Sequence, residues 1–279
     1  MNFRTIVDIA PSEFHIAPCE ELLFVGSCFA DSIGQRFRIE GFPATVNPYG
    51  TMYNPASILH TLQRWLAPSV SQCCDALSRK MPNTVFLTLG TNHVYRLKET
   101  GEIVDNCQKR PACLFQEERL SVDECADYLR QAAGMLHQLD SEIHIVLTVS
   151  PIRYRKYGYH ESQLSKATLL LAAEKVTDVI SYFPAYEIVM DELRDYRFYA
   201  PDMLHPSQQA VDYIWERLVD TFFSPEAKTY LDEWRPLRQA LQHRPFNPEA
   251  DDYRLFMEQT KERLAAFKKK YPRFTLPDI

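Results

Sequence analysis

The sequence is short of glycine: 8 of its 279 residues, against 18 prolines, where average usage would give roughly 7%. No two glycines stand in G-x-G-x-x-G, and no G-x-x-x-x-G-K-[ST] occurs. The sequence signatures of dinucleotide and P-loop phosphate binding are therefore missing. The same scarcity speaks against collagenous and low-complexity architectures. Positive charge is also in deficit. Lys and Arg total 31 against 37 Asp and Glu, a formal net charge of −6, which disfavours a nucleic acid held by phosphate neutralisation. The one dense basic run, Lys268-Lys269-Lys270 with Lys261 and Arg263, lies in a helical pattern and reads as a solvated face. No apolar run approaches the roughly 18 residues of a spanning helix, and the first residues lead into Asp8, Pro11 and Glu13 without a signal-peptide core. None of the 7 cysteines forms C-x-x-C. Cys73 and Cys74 are adjacent, and Cys107, Cys113 and Cys125 lack zinc-site spacing. The expectation is reduced thiols in a cytoplasmic protein that has neither a membrane nor nucleic acid as partner.

What is present is a hydrophobic content of 46%, enough for an ordinary core, arranged in an alternating pattern. Leu22-Leu23-Phe24-Val25 reads as a strand, stopped by Gly26-Ser27 and followed by helical spacing at Phe29, Ile33 and Phe37. Ala44–Val46 is a second short strand, and Asn54-Pro55 supplies an N-cap and an N1 proline for a helix with Ile58, Leu62 and Leu66. Thr84–Leu89 is the third strand, ending at Gly90. A hairpin follows, with Val94–Leu97 and Glu102–Val104 flanking Thr100-Gly101. Ser121 with Glu124 forms a capping box for a helix to about Gln138. Ile143–Val149 is the fourth strand, a helix spans roughly Glu161 to Asp178, and Ala185–Val189 is the expected fifth strand. A last helix of this unit, with Val211, Ile214 and Leu218, starts near Pro206. Strands alternating with helices predict an α/β fold, a three-layer α/β/α sandwich around a parallel sheet. Residues 1–224 form this domain; residues 225–279 predict a helical hairpin packed on it, with helices at about 226–242 and 249–270. That hairpin is also the candidate surface for a partner or a second copy of the chain.

In open parallel sheets ligands sit off the carboxyl ends of the strands, where loops converge and helix N-termini aim N–H groups inward. Three of the eight glycines, Gly26, Gly50 and Gly90, fall in those loops. Ser27 stands where a strand turns into a helix, and a hydroxyl there can attack a carbonyl beside N–H groups able to bind the oxyanion. His205 is the candidate base and Asp202, three residues earlier, the group that orients its imidazole. The bare D-x-x-H pattern is uninformative; its place just before the last helix of the α/β pattern gives it weight. Arg153, after the fourth strand, is a candidate fork onto a substrate carboxylate or phosphate. Cys28 is an alternative nucleophile whose simpler reading is a small core residue. Lys166 reads as a surface or interhelical contact, and His93, Asn54 and Tyr53 are candidate substrate contacts.

The pentapeptide Gly26-Ser27-Cys28-Phe29-Ala30 resembles that of the bacterial GSCFA-domain proteins, which belong with the SGNH/GDSL-type hydrolases. Four further blocks carry the resemblance over about residues 18–225. They are Asn47-Pro48-Tyr49-Gly50 with Tyr53-Asn54-Pro55, Thr88–Thr91, Thr148–Arg153 and Asp202–Pro206. The resemblance implies a flavodoxin-like α/β/α sandwich and a Ser27-Asp202-His205 triad. It also implies an oxyanion hole from the Ser27 N–H, the Gly50 N–H and the Asn92 side chain. Two blocks depart from the wider group. There the serine follows Gly-Asp, whereas here it follows Gly26 directly and Cys28 comes next. The usual G-x-N-D block reads Gly90-Thr91-Asn92-His93, and Asn54 is a rival amide donor.

The expected activity is hydrolysis of an ester, such as an O-acyl or O-acetyl group on a carbohydrate or small molecule, through an acyl-enzyme on Ser27. Transfer of the acyl group to an acceptor hydroxyl needs the same machinery. A catalytically inactive binding protein on the same fold is the remaining alternative. The chemistry needs no metal or organic cofactor.

Overall fold

A computed structural model describes residues 4–67, 80–105, 107, 109–247 and 250–277. The Cys73-Cys74 pair and Pro248 of the expected interhelical linker lie outside the described residues. In chain order the elements are β1 (Leu22–Gly26), α1 (Cys28–Ile39), β2 (Ala44–Val46), α2 (Pro55–Leu66), β3 (Thr84–Leu89), β4 (His93–Leu97) and β5 (Ile103–Val104). There follow β6 (Phe115–Arg119), α3 (Val122–Leu139), β7 (His144–Val149), α4 (Tyr159–Glu174), β8 (Ser181–Tyr182) and the short turn α5 (Ala185–Glu187). The chain ends with α6 (Gln208–Phe222), α7 (Pro225–Gln242) and α8 (Asp251–Lys270).

The central sheet has the order β2-β1-β3-β7-β8 and is parallel throughout. β1 and β3 are buried at every position, as the unbroken apolar runs of a sheet covered on both faces require. Alternation along the strands divides the core in two. Leu22, Phe24, Phe86 and Val146 pack under α1, α6 and α7, with the Phe24 and Phe86 rings stacked at 4.7 Å. Leu23, Val25, Val85, Leu87, Ile145 and Leu147 face α2, α3 and α4. The result is the expected three-layer sandwich.

The expected fifth strand at Ala185–Val189 is helical instead, α5 running into a π-helical turn at Ile188–Glu192. The fifth strand is β8, four residues upstream. Phe183 N–H extends its pairing to Leu147 O, after which Pro184 has no N–H for the next ladder bond. Ala185, Ile188 and Val189 then reach the core together at helical spacing. The hairpin forms as β4 and β5, and β6 adds a third antiparallel strand on the other side of β4. This small sheet stands at the carboxyl end of β3 and forms one wall above it.

The C-terminal helices clamp the far end of α1. Tyr230 and Trp234, both fully buried, donate to Glu40 O at 2.5 Å and Ile39 O at 3.1 Å. Side chains of α7 thus satisfy carbonyls left open at the α1 terminus. Gly41 follows with φ +79°, and a Cβ there would fall 2.2 Å from the Phe274 ring. α8 packs outside α7 through Phe267, which touches Tyr230 and Trp234, and through a Lys270–Glu233 ion pair at 2.6 Å. No helix among the described residues is long and apolar enough to cross a membrane.

Candidate active site

The β1–α1 turn runs hard against β3. A Cβ on Gly26 would lie 2.3 Å from Thr88 O, and its φ is +151°, so only glycine fits. Asn47 fixes the turn from the β2 loop: its Oδ1 accepts from Gly26 N–H at 2.8 Å and its Nδ2 donates to Asp31 at 2.8 Å. Ser27 N–H donates to Thr88 O at 3.1 Å, and Ser27 Oγ accepts from Phe29 N–H at 3.3 Å. Ser27 is the N-cap of α1 and is 1% exposed. The next residue is the one that faces the proposed base. Cys28 Sγ lies 3.5 Å from His205 Nε2. The expected nucleophile, Ser27, is not in that contact: the cap geometry turns its hydroxyl back onto the helix and leaves Cys28, one residue on, beside the imidazole. Burial pushes the Cys28 thiol up, opposed by the N–H groups of Cys28 and Phe29 and by Lys166.

Asp202 and His205 come together as expected. Asp202 Oδ2 and His205 Nδ1 are 2.5 Å apart. Asp202 Oδ1 accepts from Leu204 N–H at 2.9 Å and His205 N–H at 3.0 Å. The His205 and Leu204 N–H groups and the imidazole hold the Asp202 carboxyl down to about 2. The turn carries Met203 at φ +58° and is held from β7's loop. Arg153 N–H donates to Leu204 O at 3.0 Å, and its guanidinium donates to Met203 O at 3.2 Å while lying over the rings of Tyr159, Tyr199 and Tyr196. Arg153 therefore positions the His205 turn, in addition to standing where the expected fork onto a substrate anion would be.

Cys28 and His205 open onto a cleft of about 600 Å³, also lined by Ser27, Tyr53, Asn54, His93 and Arg153. All three expected oxyanion donors are engaged elsewhere, the Ser27 N–H on Thr88 O as described above. Gly50 N–H donates to Asn47 O at 2.9 Å, closing a turn. Asn92 is buried, its Nδ2 donating to Leu120 O at 2.7 Å; it ties β4 to the start of α3 and does not line the cleft. The rival amide is better placed. Asn54 Oδ1 caps α2 by accepting from Ser57 N–H at 2.9 Å, its Nδ2 has no acceptor among the described residues, and the Cys28 N–H meets only its own thiol. Tyr53 carries the carbonyl that receives Gly90 N–H and Thr91 N–H at 2.7 and 2.8 Å, and its ring is exposed at the cleft mouth. His93 is 9% exposed and stacked on Tyr157 at 4.1 Å. Neither of its ring nitrogens has a hydrogen-bond partner among the described residues, and burial pushes its pKa down.

Lys166 is neither on the surface nor a simple interhelical contact. It is 3% exposed, and its Nζ donates to Gly90 O and Ser150 O, both at 2.7 Å, at the carboxyl ends of β3 and β7. It lines the floor of the cleft. Burial lowers its pKa to about 7. The signal was in the helix pattern: Ser162, Lys166, Leu169 and Ala173 form one buried stripe of α4 at i, i+4, i+7 and i+11. Among the described residues no cluster of three or more His, Cys, Asp or Glu has metal-holding geometry.

No curated protein matches this sequence significantly. Among solved structures the chain is similar to an Axe2 acetyl-xylooligosaccharide esterase from Geobacillus stearothermophilus, at 13% identity and TM-score 0.44, over 75% of this chain and 96% of that one. It is also similar to LAE5, an α/β hydrolase from a Lake Arreo metagenome, at 12% and 0.43, over 74% and 96%. A carbohydrate esterase family 3 protein from Talaromyces cellulolyticus matches at 9% and 0.37, over 76% and 99%. A family model described as the C-terminal domain of GSCFA domain proteins matches residues 234–278, covering the second half of α7 and all of α8. The GSCFA family model itself matches residues 21–81 and 72–218, from β1 through the Cys28 turn and the Asp202–His205 turn into α6, and the chain belongs to that family.

Proposed function

We propose that this protein is a thiol-dependent acyl hydrolase in which Cys28 is the nucleophile, His205 the base and then the acid, and Asp202 the orienting carboxylate. One observation carries this reading: Cys28 Sγ is 3.5 Å from His205 Nε2, while the Ser27 hydroxyl is buried as a helix cap. In the wider SGNH group the serine is the third residue of Gly-Asp-Ser; in Gly26-Ser27-Cys28 the third residue is the cysteine.

The steps follow from the geometry. Since burial raises the Cys28 thiol, the sulfur starts as the thiol. Sγ gives its proton to Nε2 as it attacks the ester carbonyl. Asp202 keeps Nδ1 protonated and stabilises the imidazolium that forms. The oxyanion is received by the Cys28 N–H at the α1 N-terminus, released from the thiol as the sulfur attacks, and by Asn54 Nδ2. The tetrahedral intermediate expels the alcohol, which takes the proton from Nε2, and leaves a thioester on Cys28. Water, deprotonated by His205, attacks the thioester; the acid leaves and the thiol is restored. A second reading is favoured by an adjoining pocket of about 300 Å³, which shares Ile152, Arg153 and Lys166 with the cleft. An acceptor hydroxyl seated there would take the acyl group in place of water.

The test is intact-protein mass measurement after acid quench with p-nitrophenyl acetate. The wild type and Ser27→Ala form an acetyl adduct that neutral hydroxylamine removes, as a thioester requires, and Cys28→Ala forms none. An adduct that survives in Cys28→Ala and is lost in Ser27→Ala would return the nucleophile to Ser27. Ser27→Ala is expected to cost about 0.5–2 kcal/mol of stability as a lost cap.

A further inference from the structure

The charge around the cleft is opposite in sign to that of the chain. The protein is formally −6, yet the cleft is lined by Arg153, Arg155, Lys156 and Lys166 against one carboxylate, Asp105, which is held by His60 at 2.9 Å. Lys156 is paired with Glu117 at 3.2 Å. Arg153, Arg155 and Lys166 have no ion pair among the described residues. Lys166 is the costly member of the set. An ammonium 97% out of solvent is strongly disfavoured without a counter-charge, and two carbonyl dipoles satisfy only two of its three N–H groups.

We infer that the substrate is anionic, with a carboxylate or phosphate on its acyl portion that reaches the cleft floor and supplies the missing counter-charge to Lys166, steered by Arg155 at the rim. This rests on the acyl-transfer reading for the identity of the bond broken, while the anion site itself stands on the unpaired cations. Lys166 sits where it can meet the acyl portion. It is anchored on carbonyls at the ends of β3 and β7, the two strands beyond β1, and shares the cleft with Cys28. At the low polarity of a buried floor a cation and an anion attract far more strongly than in water. Burial lowers the lysine pKa, and an anion beside it would act in the opposite direction and favour the ammonium.

The test compares p-nitrophenyl hydrogen succinate with p-nitrophenyl butyrate, an acyl chain of similar size without the charge. The wild type should prefer the succinate ester by about tenfold or more in kcat/KM, equivalent to about 1.4 kcal/mol. Lys166→Met should lower the ratio of the two by about tenfold, chiefly through KM of the anionic ester, and Arg155→Ala by a few-fold. A wild type that prefers the butyrate ester, or a ratio that Lys166→Met leaves unchanged, overturns the inference. If Lys166→Met does not fold, Arg155→Ala, on an exposed side chain, decides: an unchanged ratio overturns it. If the wild type turns over neither ester, the acyl-transfer reading has failed separately. Calorimetric titration of Cys28→Ala with succinate and with inorganic phosphate then decides the anion site and says which anion it takes. Binding lost on adding Lys166→Met supports the site; binding of neither anion, or binding indifferent to Lys166, overturns it.

Discussion

Lys166 gives the molecule an unusual dependence on pH. Its pKa of about 7 lies below the ordinary lysine value of 10.5, so between those two pH values the unfolded chain binds more protons than the folded one. Stability contributed through this group therefore rises as pH increases across that window; the cost of the buried charge is complete below it and absent above it. The charged and titratable groups acting on the ammonium are few: Cys28 by charge, the Tyr186 ring at 5.9 Å and the two carbonyls. Melting temperature measured at pH 7 and at pH 9.5 should rise more, or fall less, in the wild type than in Lys166→Met. Equal responses would mean that Lys166 is not desolvated in the folded state. At this scale the Asp202–His205 pair was legible in the sequence, because both residues sit in one turn before a helix. Which residue faces His205 was not, because whether Ser27 or Cys28 does so depends on the angle at which α1 leaves the strand. A cap hydroxyl and a reactive group compete for the same few residues, and serine is the better cap.

At the scale of elements, the strand–turn–helix unit of β1 and α1 holds the site together, and Gly26 is its tightest point. Gly26→Ala should destabilise the protein by about 1–3 kcal/mol through overpacking. The turn must also move off Thr88, so acetyl-adduct formation should fall with it; a variant with unchanged melting temperature and unchanged adduct rate would contradict the close approach described above. The sheet was largely readable, because β1, β3 and β7 are apolar runs bounded by turn residues. Two elements were not. β6 reads Phe115-Gln116-Glu117-Glu118-Arg119, a polar stretch that becomes a strand only because β4 offers it a ladder. Ala185–Val189 contains no breaker to mark it off from a strand, and its helical state follows from where Pro184 ends the β8 pairing. Asn92 and Gly50 were legible as loop residues at the right face, and only the hydrogen bonds show that both are structural.

Across the whole molecule, the C-terminal hairpin is tied into the core of the α/β unit. Trp234 is fully buried, donates to Ile39 O and stacks near Phe267 and Phe274. Trp234→Ala should cost about 3–5 kcal/mol, visible as a lower denaturant midpoint with a single transition. A first transition that leaves the α/β unit folded would show instead that the hairpin melts independently. The pattern of residues 225–279 predicted two helices well, while the site on which they dock was invisible, because it is made of backbone carbonyls at the end of α1.

α1 is a rod of 12 residues, about 18 Å long at 1.5 Å per residue. Its first residue carries the sulfur, and its last carbonyls are gripped by α7. A rod held at its tail resists sliding along its axis, and here the α7 contacts and the Cys28–His205 contact sit at the two ends of one helix. Loosening that grip is therefore expected to lower the acetyl-adduct rate of the proposed enzyme together with its stability.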